Sequence, residues 1–311
     1  MNRLFFSLLL MLFATGISAQ LLWKISGNGL SKPSYLFGSM HCAPAHFIDS
    51  IKGVRAAMEE AEQIYEEVVT SDTTVNNYRP DQSVLEMPEE SELADLYTKE
   101  EQDRINRFIF RLTKFDEDEF LHTNRDITPG FAYKILSENL IEDNTKLVFD
   151  SISKITFDDN FELYAINSGK PVGALEEEKL HRTVISNLYL GDFELTKQGK
   201  ELLVFIDNYA KNNYLLYRLL SDYHAQNLLR LNNKSSVKER NKEYGEKKEL
   251  SCQGRNITWA KKMPAIMANK STLFVVGVAH LGHPVKEERG LIQLLQKAGY
   301  TVEPIGKPLK N

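Results

Sequence analysis

Apolar residues along the chain fall into two kinds of run. Short continuous blocks occur at Tyr35-Leu36-Phe37, Ile64–Val69, Val172–Leu175, Thr272–Val276 and Tyr300–Ile305, and such blocks read as buried strands. Elsewhere the apolar residues recur every three or four positions, the spacing of a helix face. Ile51, Val54, Ala57, Met58 and Ala61 predict a helix over Ile51–Gln63. Leu202, Leu203, Phe205 and Ile206, then Leu215, Leu216, Leu219 and Leu220, predict helices within Leu188–Leu231, and Lys286–Lys297 is amphipathic and capped by Gly299. The mixed-charge text from Leu93 to Ile155 reads as several more helices, after a turn-rich stretch at Ser71–Ser91.

Strand–helix units therefore stand at both ends of the chain, with helical text between them. This predicts an α/β fold. A mixed sheet would be built from the N- and C-terminal strand–helix units, with a large helical insertion at about 90–155 and 186–250. One domain is expected over residues 20–311. The densely charged stretch Asn232–Leu250 carries both signs and reads as a solvated loop or helix face.

The first residues follow a different logic. Arg3 precedes an apolar run, Leu4–Phe13, and Ile17-Ser18-Ala19 offers a small-residue cleavage site. Residues 1–19 read as a secretory signal peptide, since the run is about half the length that spans a bilayer. The expected product is exported, to a periplasm or to the medium, with no membrane span left after cleavage.

Composition agrees with a folded, core-forming chain: 42% of residues are hydrophobic and 26% charged. The formal charge of −5 argues against nucleic acid as the main partner, because phosphate binding needs a basic surface. Only Cys42 and Cys252 carry thiols. In an oxidising compartment either a disulfide or two isolated thiols would fit.

The candidate chemistry lies where the strands end. Tyr35-Leu36-Phe37-Gly38-Ser39-Met40-His41 near the start echoes Phe274-Val275-Val276-Gly277-Val278-Ala279-His280 near the end. In each, an apolar strand meets a glycine, Gly38 or Gly277, which permits close backbone approach, and a histidine follows two residues later. The imidazoles can converge if the strands run in one direction, at the carboxyl edge where open α/β sheets bind ligands. Glu66 and Glu67 interrupt another apolar strand, and neighbours on a strand alternate faces, so at most one can reach solvent. Glu176 ends the Val172–Leu175 strand, or else begins a helix where carboxylates suit the dipole. His41, Glu67, Glu176 and His280 together suit a divalent metal or an acid–base pair. His46 and His283 read as loop residues, and His122, His181 and His224 as structural. HExxH, GxSxG and Walker motifs are absent.

The paired GxxH motifs, the opening Leu22-Trp23-Lys24-Ile25, the Arg255-Asn256 pair and the ending Gly277–Ile305 together resemble the TraB/GumN family (TraB/PrgY/GumN, Tiki). The resemblance implies a fold of the erythromycin-esterase/ChaN-like group. It implies His41, His280, Glu67 and Asp158 as metal ligands, for manganese, cobalt or zinc. Glu176 would be a further ligand or the general base, and Arg255 would stabilise an oxyanion or a substrate carboxylate. The implied activity is metal-dependent hydrolysis, of peptides first and of small molecules second. A non-catalytic protein that sequesters peptides, or a haem or metal carrier by analogy with ChaN, would use the same scaffold. If Arg255 reaches the site, Cys252, three residues before it, comes within reach of Cys42.

Overall fold

The computed structural model describes residues 20–69, 85–113, 120–152, 156–188, 194–232, 250–282 and 290–306. The expected signal peptide, most of the charged stretch and His283 lie outside these residues. The strands are β1 (Leu22–Ser26), β2 (Ser34–Ser39), β3 (Gln63–Glu66), β4 (Val172–Ala174), β5 (Thr272–Gly277) and β6 (Thr301–Pro304). The helices that matter below are α1 (Val54–Glu60), α2 (Lys99–Thr113), α3 (Pro129–Phe149), α4 (Asp159–Asn167), α5 (Glu178–Leu188), α6 (Leu195–Asp207), α7 (Tyr209–His224), α8 (Cys252–Asn269), α9 (Val278–Leu281) and α10 (Leu291–Lys297).

The chain divides into two compact units. The first combines Met1–Glu67, Ile155–Leu175 and Asp222–Asn311; the second combines Val68–Lys154 and Glu176–Ser221. All six strands belong to the first unit and form one mixed sheet in the order β4-β3-β5-β2-β1-β6. The four strands β4, β3, β5 and β2 run parallel. β1 is antiparallel to both of its neighbours, β2 and β6. This is the α/β fold with a mixed sheet and helical insertion that the two ends of the sequence predict.

β2 is buried at every residue and β5 at all but its last, as expected of parallel strands covered on both faces. Their register sets Gly38 opposite Val276 and Ser39 opposite Gly277, so the two GxxH motifs leave the sheet side by side. β1 was not among the predicted strands: Lys24 breaks its apolar run, and it is the only exposed residue of the five. It turns back into β2 through Gly27, Asn28 and Gly29, all at positive φ. Helix α1 is shorter than the predicted Ile51–Gln63, because the chain before it forms a 3₁₀ turn at Ala45–Ser50 and enters the helix through Gly53 at φ 87°. α10 begins at Leu291, inside the predicted Lys286–Lys297.

Lys170 closes the far end of α1. Its Nζ donates to the carbonyls of Met58, Glu59 and Ala61 at 2.6, 2.7 and 2.6 Å. A lysine there satisfies carbonyls that a helix end otherwise leaves unmade and complements the dipole. Lys170→Met is expected to lower stability by about 1–3 kcal/mol, read as a lower urea midpoint at unchanged m-value.

The second unit is helical. Leu93, Ile105, Ile109, Leu136, Leu140 and Leu202 are among the residues of its core, contributed by α2, α3, α6 and the turn before α2. Thr128 caps α3 by accepting from the Phe131 amide at 3.1 Å, with Pro129 in the first helical turn where its missing N–H does no harm. Gln198 of α6 accepts from the Gly130 amide at 2.9 Å and ties the two helices together. Among the described residues no helix is long and apolar enough to cross a membrane.

Candidate functional site

In the first unit, three parallel strands end together. Glu67 is the first residue past β3, Gly277 is the last of β5, and His41 lies two residues past β2. After Gly277 the chain turns at once into α9, which carries His280 inward; that residue is only 5% exposed. His41 lies in a turn, closed by the Ala43 amide on the Met40 carbonyl, instead of a helix, and its side chain is 75% exposed. The two motifs are thus alike in sequence and unlike in setting.

Glu67 is held from two sides. Its Oε1 accepts from the Gly277 amide at 2.8 Å, and its Oε2 accepts from Arg255 Nη2 at 2.5 Å. Gly277 serves this approach: a Cβ there would stand 3.3 Å from Glu67 Oε1. Arg255 comes from the first turn of α8. Its guanidinium also places Nη1 3.3 Å from His280 Nε2 and lies over the Trp259 ring at 4.7 Å. Trp259, one turn further along α8, packs on the His280 ring with centroids 4.4 Å apart.

Asn256 fixes the orientation of His280. Its Nδ2 donates to the His280 carbonyl at 3.2 Å, which leaves its Oδ1 to accept from His280 Nδ1 at 2.6 Å. The hydrogen-bond network therefore assigns the proton to Nδ1 and the lone pair to Nε2. That Nε2 faces Glu67 Oε1 at 3.6 Å. Two ligand atoms of one tetrahedral divalent ion with bonds near 2.1 Å stand about 3.4 Å apart, so the donor pair suits such an ion.

His41 makes a separate pair, with Nδ1 3.1 Å from Asp158 Oδ2. Asp158 precedes α4 but does not cap it with its side chain. The hydrogen bond to Asp158 holds the His41 pKa above the ordinary value, against the opposing effect of burial; the charges of Asp158, Asp159 and Glu67 add to the rise.

Glu66 takes the opposite face of β3 and is 4% exposed. Its Oε1 has no hydrogen-bond partner among the described residues. Burial first, then the charges of Asp158, Glu162, Asp159 and Glu67, push its carboxyl up to about 9. The folded state thus keeps a proton that the unfolded chain releases near pH 4.5. Stability is expected to fall as pH rises from there toward 9. Glu66→Gln should remove that slope and raise stability at pH 8 by about 1–3 kcal/mol, measured by thermal unfolding at pH 5, 7 and 8.

Cys42 and Cys252 are not joined as a disulfide, so the alternative of two separate thiols holds. Cys252 Sγ turns instead to the Ala279 carbonyl at 3.6 Å and lies 3.5 Å from His280 Nδ1. In the second unit Glu176 is buried, and its Oε1 lies 3.0 Å from His181 Nδ1. Sequence reasoning set His181 aside as structural. The signal for it was its place one helical turn into α5, just after Glu176. The sequence singles out Asn256 only as part of the Arg255-Asn256 pair and gives no role to it or to Trp259, because helix α8 is not legible there: Pro264 sits inside it, and charged text precedes it.

The sequence model of the TraB/PrgY/gumN family matches residues 21–304, from the start of β1 to the end of β6. Curated proteins and solved structures give no match. With the family pattern running through both GxxH motifs, Glu67 and Arg255, the chain belongs to the TraB/PrgY/gumN family.

Proposed function

We propose that this is an exported, metal-dependent hydrolase that cuts peptides. The observation that carries the reading is the Glu67–His280 pair, two oriented ligand atoms 3.6 Å apart at the carboxyl ends of the parallel strands of the sheet. The reading takes His280 through Nε2 and Glu67 through Oε1 as ligands. His41 is the second imidazole, and Asp158 orients it through Nδ1, as carboxylates commonly orient ligating histidines. Within the second unit, Glu176 and His181 are a further carboxylate–imidazole pair of the type a divalent cation takes. A bound manganese, cobalt or zinc ion would supply Lewis acidity at the scissile carbonyl. Glu176, two residues past the end of β4 in the chain, takes the general-base role that the family resemblance implies. Asn256 keeps the His280 lone pair on Nε2, and the Gly277 amide holds the Glu67 carboxylate in place.

The test is metal content by mass spectrometry on the mature chain offered Mn, Co and Zn, compared with a His41→Ala/His280→Ala double variant. A peptide library is then incubated with the loaded protein. Metal in the former alone, followed by cleavage, supports the proposal. Metal with all peptides recovered intact would replace hydrolysis by peptide sequestration. No metal in either protein would sink the metal reading.

A further inference from the structure

We infer that Arg255 is a resident cation in this site, and that a divalent ion must displace it to bind. The inference rests on the metal reading above. Arg255 is buried, with its side chain 7% exposed. A buried charge needs compensation. Here it comes from one ligand candidate, Glu67 Oε2 at 2.5 Å, while Nη1 points at the lone pair of another, His280 Nε2 at 3.3 Å. The indole of Trp259 supports the guanidinium from below. The positive charge thus lies against the same two side chains that would receive the metal.

A second positive charge cannot share that space without strong repulsion. A divalent ion on Glu67 Oε1 and His280 Nε2 would face Nη1 at close range, because Nη1 is already within hydrogen-bond reach of Nε2. Metal entry and departure of the guanidinium from His280 are therefore one event. The metal-free chain is stabilised by its own arginine, and the apparent metal affinity is reduced by the fraction of molecules whose arginine is withdrawn. Trp259 touches both Arg255 and His280, so its fluorescence reports the exchange.

The experiment titrates Co²⁺ and Mn²⁺ into the wild-type chain and into the Arg255→Met, Arg255→Lys and His280→Ala variants, by calorimetry and by tryptophan fluorescence. Trp259→Phe serves to subtract the Trp23 signal. Arg255→Met is expected to bind about 10–100-fold more tightly than wild type, for a competent state populated at about 1–10%. The wild-type Trp259 emission should change on metal addition, and Arg255→Met should show the metal-bound spectrum's loss of the guanidinium contact before any metal is added. Arg255→Lys retains the charge and covers the case in which Arg255→Met fails to fold. It should bind with an affinity between the other two, because a lysine lacks the fork that reaches both partners. Equal affinity in all the arginine variants, with binding still lost in His280→Ala, would overturn the inference and leave the metal reading intact. Binding that His280→Ala does not weaken would overturn both.

Discussion

Glu67→Ala is expected to destabilise the sheet unit by about 3–5 kcal/mol, more than any other single change at the site. The loss comes from what remains behind. Arg255 would stay buried without its carboxylate, and the Gly277 amide would lose its acceptor at the end of β5. Glu67→Gln should lose less, since an amide oxygen still accepts from Gly277. The combined Glu67→Leu/Arg255→Met variant should recover much of the stability, because it removes both charges together. Thermal and urea unfolding of the four proteins would check this. If the double variant were as unstable as the sum of the single ones, the Glu67–Arg255 pair would not be the source of the effect.

Gly38→Val is expected to be the most damaging change in either GxxH motif. A Cβ at Gly38 would lie 2.6 Å from Leu281 Cδ1, 3.1 Å from Leu281 Cγ and 3.1 Å from the Val278 backbone. The Leu281 side chain can shift alone, but the Cα of Val278 cannot move without the rest of α9, and α9 carries His280. Overpacking of this kind costs about 1–3 kcal/mol or more. It should also dislodge His280 from Asn256 and Arg255. A collapse of His280-dependent metal binding larger than the loss of stability would be its mark. Gly277→Ala offers the contrast. Its Cβ would meet Glu67 Oε1 at 3.3 Å and His280 Cδ2 at 3.7 Å, so the fold should survive while the carboxylate shifts.

These two glycines show how far the site was legible in the sequence. The apolar blocks around Tyr35–Phe37 and Phe274–Val276 predict β2 and β5, and the matching GxxH pattern predicts that the histidines converge if the strands run in one direction, a condition that the parallel β2–β5 pairing meets. The alternation rule assigned Glu66 and Glu67 to opposite faces, and the structure buries the former. What the sequence does not display is the difference between His41 and His280. That difference depends on whether the chain after the glycine coils into a helix, and Val278-Ala279 and Ser39-Met40 do not decide it. Helix α8 is illegible in the sequence for a related reason. Its buried face includes Arg255 and Asn256 among Trp259, Met263 and Met267, so its apolar period is broken where the site is built.

The sheet order has a kinetic consequence. β5 lies between β2 and β3, yet more than two hundred residues separate it from β2 along the chain. Until β5 is in place, β2 and β3 share no hydrogen bonds and each presents an open edge. Folding of this unit must therefore wait on long loop closures, which are slow and leave strand edges exposed to other chains. A nascent chain that stops short of Thr272 has all of its aggregation risk and none of its site: Arg255, in α8, would be made, but the strand that anchors Glu67 and leads to His280 would not.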